Sequence, residues 1–280
     1  MNCPHCGYPV RTGIKFCPEC GTDLRGDPRE AARQRQSARI PPEGEIIPVA
    51  NTGVLLGAEA RRARLSQVVS EDQLVSPRIY NLVLLGVLLW GLLVNVALCV
   101  LLGDVFAYLN PIAFFVIYFG CAIAGTFIAG RSHRPLVSFL GYNLVVVPFG
   151  AMISTLVYAY GGINSSYVTL AFGYTLLITL GMLGASMAFP QLFRNLGGAL
   201  LGVLVGLILC EIVLLLLGIP QVVTDWVAAG LFSLYIGFDL YRSQQFPKTL
   251  DNAVDCALDI YLDIANLFIR LLRVMSRRKN

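Results

Sequence analysis

Two groups of residues in this chain have types and spacings suited to chemistry. The first lies in "CPHCGYPVRTGIKFCPECG", residues 3 to 21, where Cys3 and Cys6, then Cys17 and Cys20, form two C-x-x-C knuckles, each followed by glycine. A knuckle can set two thiolates on one side of a tight turn, and two knuckles complete a tetrahedral S4 site. Gly7 and Gly21 suit the reversal behind each knuckle, where a positive φ is often required. Four thiolate corners leave no position for a catalytic water, so the expected occupant is structural zinc, holding a fold too small for a hydrophobic core. Iron in the same S4 cage is the alternative. His5 sits inside the first knuckle as a bystander. Reduced thiolates also place this end in the cytoplasm.

The second group is a polar stripe near the other end of the chain. Asp251, Asp255, Asp259, Asp263, Asn266 and Arg270 are spaced 4, 4, 4, 3 and 4 apart, which on a helix is one continuous face. The segment around them, "DIYLDIANLFIRLLR", is otherwise apolar. Asp251 and Asp255 are expected at the cytoplasmic end, where solvation is easy. Asp263 follows "IYL" and precedes "IANLFI", and an ionisable group at such depth faces a bundle interior or a water-filled cavity. It needs a partner. Asp239 in "LYIGFDLYRSQ" and Glu211 in "LILCEIVLL" are candidate carboxylates in nearby apolar segments.

The elements that must position these groups follow from composition. Of the 280 residues, 56% are hydrophobic and 14% charged, with a mean hydropathy of +0.68. Soluble domains carry roughly 25% charged residues, and here the apolar ones fall into long blocks. This is the composition of an integral membrane protein. Apolar spans run about 79–102, 111–130, 136–158, 167–188, 196–218 and 222–241, and a seventh, about 253–275, holds the stripe. Each is close to the ~20 residues needed to cross a bilayer core. Met1 to Cys20 is polar, so no secretory signal is expected ahead of them. Gly198, Gly202 and Gly206 form a small-residue ridge suited to close helix packing within the bundle. Cys99, Cys121, Cys210 and Cys256 lie singly in apolar segments and read as small buried hydrophobes. Residues 25–77 are a basic linker in which Pro41, Pro42 and Pro48 oppose a continuous helix, with a short helix expected from Ala58 to Val69. Its arginines are dispersed and lack interleaved aromatics, so they suit anionic headgroups and no nucleic acid is expected.

Loop charge orients the first six spans. Arg61, Arg62, Arg64 and Arg78, then Arg131 and Arg134, Arg194, Arg242 and Lys248 lie on one side, whereas loops 103–110, 159–166 and 219–221 hold no Lys or Arg. The positive-inside rule puts the N-terminus in the cytoplasm, in agreement with the thiolates. The seventh span breaks the pattern. A full crossing leaves Arg273, Arg277, Arg278 and Lys279 outside, and a re-entrant segment returns them.

"LYIGFDLYRSQ", followed by "DNAVDCALDIYLDIANLFIRLLR", resembles the C-terminal signature of the Bax inhibitor-1 family, and "SPRIYNLV" before the first span is similar to its bacterial members. The cysteine spacing resembles small zinc-ribbon modules over 1–24. The resemblance implies an all-α polytopic membrane protein, a seven-helix bundle over 78–280 with its C-terminal helix at the centre, behind a zinc ribbon. It implies a pH-sensitive calcium leak in a bacterial inner membrane. In that reading Asp239 and Asp263 are the proton sensor, and Arg131 or Arg134 in "GRSHRP" is the latch. Asp255, Asp259, Asn266 and Glu211 would line the path for calcium or another cation. Chemistry agrees, because two carboxyls close together in low dielectric cannot both ionise cheaply and would share a proton. Two other functions stay open. One is a membrane-embedded interaction protein that docks a protein partner, such as a protease, through its ribbon. The other is an intramembrane aspartyl protease, though "LYLD" lacks the Gly-x-Gly-Asp pattern of such enzymes. No soluble-enzyme motif occurs, and His5 and His133 are the two histidines, so no enzymatic activity is expected.

Overall fold

The computed structural model describes residues 73–103, 105, 111–131, 134–194 and 196–277. The cysteine knuckles and nearly all of the linker, with its expected short helix, lie outside the described residues. Within them the chain is helical, and no strand occurs. The helices are α1 (Pro77–Leu101), α2 (Pro111–Arg131), α3 (Pro135–Ala159), α4 (Ser166–Ala188), a short α5 (Pro190–Arg194), α6 (Gly197–Leu216), α7 (Val222–Ser243) and α8 (Leu250–Arg277). Seven coincide with the expected spans. The five-residue α5 does not appear in the hydropathy pattern and bridges α4 to α6.

Local sequence sets the ends of these helices. Pro77 and Pro135 open α1 and α3 at a position whose N–H has no helical acceptor. Ser76 caps α1 by accepting from the Ile79 amide at 3.4 Å. At the end of α6, Gly218 turns left-handed at φ +69°, and the Ile219 amide reaches back to the Leu214 carbonyl at 2.9 Å. That reversal closes the helix where a residue with a Cβ would be strained.

Polarity is distributed inside out. Helices α1, α3, α4, α6 and α7 are long and apolar enough to cross a membrane, and α2 contributes a shorter apolar stretch, Val116–Ile128. α6 is the most apolar of these helices and the least buried, with Leu215 and Leu216 turned outward. α8 carries seven charged residues and yet is largely buried, with one half-buried face along Asp259, Leu262, Asn266, Arg270 and Arg273. It packs against α1, α3, α4 and α7, while α2 rests on α3 and α6 on α7. Such an arrangement suits a solvent of lipid, and the protein is a multi-pass membrane protein.

Around α8 the core is aromatic. Tyr261 is wholly buried, with Tyr142 and Phe149 edge-on to it at 6.0 and 6.2 Å. Its hydroxyl accepts from Asn95 Nδ2 at 2.8 Å, so the one polar group of α1 at this depth is satisfied from α8. Tyr142 donates to the Val87 carbonyl at 2.9 Å across a gap that Gly91 leaves open, because a Cβ there would stand 2.0 Å from the hydroxyl.

Two expectations need correction. A Cβ on Gly198, Gly202 or Gly206 would meet nothing within 4 Å, so the glycine ridge packs no described neighbour and lies on the outer face of α6. Of the four isolated cysteines only Cys256 is buried. Cys99 and Cys121 are partly exposed and Cys210 is exposed, since a small apolar side chain is as compatible with lipid as with a core.

Candidate functional site

One face of the bundle gathers the start of α1, the start of α3, the end of α7 and the start of α8. Tyr80 donates to the Ser243 carbonyl at 2.9 Å, and the Val75 amide donates to the Lys248 carbonyl at 2.8 Å. Ser138 donates to Asp251. From this face α8 runs antiparallel to α7, and its last turns lie beside the first turn of α7, where Arg270 bonds Asp225 at 3.0 Å. The seventh segment is therefore one continuous helix that traverses the bundle, and it does not turn back.

The expected aspartate pair forms on this path. Asp239 projects from the penultimate turn of α7 and Asp263 from the middle of α8, each only 8% exposed. The two carboxyls lie against each other, and Asp263 Oδ2 has no hydrogen-bond partner among the described residues. Arg242, one turn after Asp239, closes the cluster. Its Nη2 lies 3.1 Å from Asp239 Oδ1 and 3.0 Å from Asp259 Oδ2, bridging α7 to α8. The guanidinium also lies 5.2 Å from the Phe238 ring centre and 5.6 Å from that of Phe246. These rings hold it on the carboxylates and away from solvent. Three carboxyls and one guanidinium thus share a site from which water is largely excluded.

The helices that build this site fall within a single family match. The family described as "Inhibitor of apoptosis-promoting Bax1" matches residues 73–280. The chain belongs to the Bax inhibitor-1 family. A zinc-ribbon domain matches residues 2–24, where the four cysteines lie. Two curated relatives, both called an uncharacterized protein and both from Helicobacter pylori (strains 26695 and J99), are 38% identical to this chain over 85 residues. That stretch covers 29% of this chain and 36% of theirs, so the match spans about a third of the length of the relatives.

Within this Bax inhibitor-1 bundle the rest of the stripe divides among several partners. Asp251 and Asp255 are 9% and 2% exposed, against the expectation of an easily solvated rim. Ser138 at the start of α3, itself fully buried, bonds Asp251. Asn266 turns its amide onto the Leu262 carbonyl of its own helix at 2.8 Å. Glu211 does not join the aspartates. It receives Arg270 through both guanidinium nitrogens, with Nη2 to Oε2 at 2.9 Å. Arg134 is exposed at the start of α3, and the side chain of Arg131 is outside the described residues.

Two site residues escaped the sequence reading. Arg242 counted only as a loop charge, yet its spacing of three from Asp239 already puts both on one face. Asp225 lies at a span boundary in "TDWV" and is fully buried under arginines. Its signal was indirect. Arg270, Arg273 and Arg277, at helical spacing on an apolar segment, require a carboxylate opposite them.

Proposed function

We propose that the protein is a pH-sensitive leak for calcium or a related cation, with Asp239 and Asp263 holding one proton between them as its sensor. The observation that supports it is the carboxyl–carboxyl contact beneath Arg242. Two buried carboxylates that touch repel unless a proton lies between them, and a neighbouring guanidinium opposes that proton. Proton uptake removes one of the charges holding Arg242 and loosens its bridge from Asp239 to Asp259. Proton loss tightens it. Arg131 or Arg134, at the α2–α3 junction, is the latch that the family resemblance implies. The path follows α8, past Asp255, Asp259 and Asn266, with the N-terminus in the cytoplasm of a bacterial cell. Calcium flux into liposomes carrying the purified full-length protein, measured at several pH values, tests the reading. A flux that rises above empty liposomes and changes with pH supports it, and background flux at every pH overturns it.

A second reading has its own support in the zinc-ribbon match at 2–24. The ribbon would dock a cytoplasmic partner, with Cys3, Cys6, Cys17 and Cys20 holding structural zinc. In that case removal of residues 1–24 abolishes the cellular effect, while Asp263→Asn leaves it intact.

A further inference from the structure

The charges along α8 change sign partway through the bundle. Asp251, Asp255, Asp259 and Asp263 occupy its first half, and Arg270, Arg273 and Arg277 its second, with no carboxylate after Asp263 in the helix. Seven positions separate Asp263 from Arg270, which is about 10 Å along the axis. The second cluster is built from three helices. Arg270 takes both oxygens of Glu211 from α6 and bonds Asp225 Oδ1 of α7 at 3.0 Å. Arg277 lies 2.9 Å from Asp225 Oδ2, and Arg273 lies 3.7 Å from Oδ1.

A structural tie between α6, α7 and α8 needs one arginine. Here three guanidiniums converge on two carboxylates, and one of those carboxylates, Asp225, is fully buried beneath all three. The cluster therefore keeps an excess of one positive charge at the end of the bundle opposite the α7–α8 loop. A cation moving along α8 meets the acidic half, then this. We propose that Arg270, with Arg273 and Arg277, is the electrostatic barrier to cations at that mouth, and that Glu211 sets its height by cancelling part of the charge. The inference rests on the leak reading and adds to it a determinant of flux distinct from the proton sensor.

The test separates charge from mere pairing, because Arg270→Gln and Glu211→Gln break the same ion pair but change the local charge in opposite directions. Calcium flux is measured in liposomes at the pH where the wild type leaks fastest, with thermal melting as a check on folding. Arg270→Gln should raise flux, by roughly tenfold for one unit of charge in a site of reduced dielectric. Glu211→Gln should lower it, and the double variant should fall between the two. Arg270→Lys, which keeps the charge but loses the bidentate geometry, should stay well short of the rise in Arg270→Gln. If Arg270→Gln and Glu211→Gln shift flux the same way, in step with melting temperature, the cluster is only a tie and the inference is overturned while the leak stands. If the wild type shows no flux at any pH, the leak reading falls and this inference falls with it.

Discussion

At the scale of single residues, the arrangement turns on Asp263, whose carboxyl touches Asp239 and whose second oxygen lacks a hydrogen-bond partner among the described residues. An amide at this position keeps shape and hydrogen bonding but cannot titrate. Asp263→Asn is expected to abolish the pH dependence of calcium flux in a folded protein, and Asp239→Asn to do the same. The double variant should add little, because coupled sites act as one unit. Two single variants that each keep the wild-type pH profile would place the sensor elsewhere. Lys248, in the α7–α8 loop, gives a separate pH signature. Its ammonium lies 4.5 Å from the Tyr80 ring centre, and burial pushes its pKa below the ordinary 10.5. The unfolded chain then holds more protons than the folded one between the two values, so stability rises with pH in that interval. Melting temperature measured as the pH climbs toward 10.5 should show that gain in the wild type, and Lys248→Met should lose it.

At the scale of elements, the spans were legible because each is an uninterrupted apolar block, and the helices lie within a few residues of the expected limits. The stripe on α8 was legible for the opposite reason, since carboxylates repeating every four residues cannot face lipid. Partners were harder to read. Asp225 and Glu211 are separated from Arg270 by 45 and 59 residues, and no periodicity within one helix reveals which neighbour it meets. Close packing was equally hidden. Gly237 on α7 meets Phe193 of α5 so tightly that a Cβ would stand 2.4 Å from the ring and 2.7 Å from Met182 Cε. Nothing in the apolar pattern distinguishes this glycine from Gly198 on α6, which faces open space. Gly237→Ala should cost about 1–3 kcal/mol through overpacking. Gly198→Ala should be neutral within experimental error. Melting temperatures of the two variants in the same detergent would decide this, and equal losses would contradict the packing described.

At the scale of the whole molecule, the described helices bring the start of α1 and the end of α7 to one face and the end of α8 to the other. Reporter fusions at Asn280 and at the N-terminus should therefore give opposite signals, and a shared cytoplasmic signal would refute the traverse of α8. The basic tail runs against the positive-inside rule. Part of its charge is matched inside the protein, where Glu211 and Asp225 face Arg270, Arg273 and Arg277. At the N-terminus, the four-cysteine motif predicts one zinc per chain by elemental analysis, lost when Cys17 and Cys20 are both changed to serine.

The burial of so polar a helix also bears on how the protein is made. α8 reaches the membrane after the other described helices, and with seven charged residues it is absent from those apolar enough to cross a membrane by themselves. A segment like this is not released into lipid as a lone span, because each charge at the bilayer centre costs about 2.5–3.5 kcal/mol on the insertion scale. The earlier spans must already be in the membrane, offering Ser138, Asn95, Arg242, Glu211 and Asp225 as its solvent. Insertion of α8 then threads a polar rod into a waiting cage, and a chain stopped short of Leu250 would leave that cage in the bilayer with its polar lining unfilled.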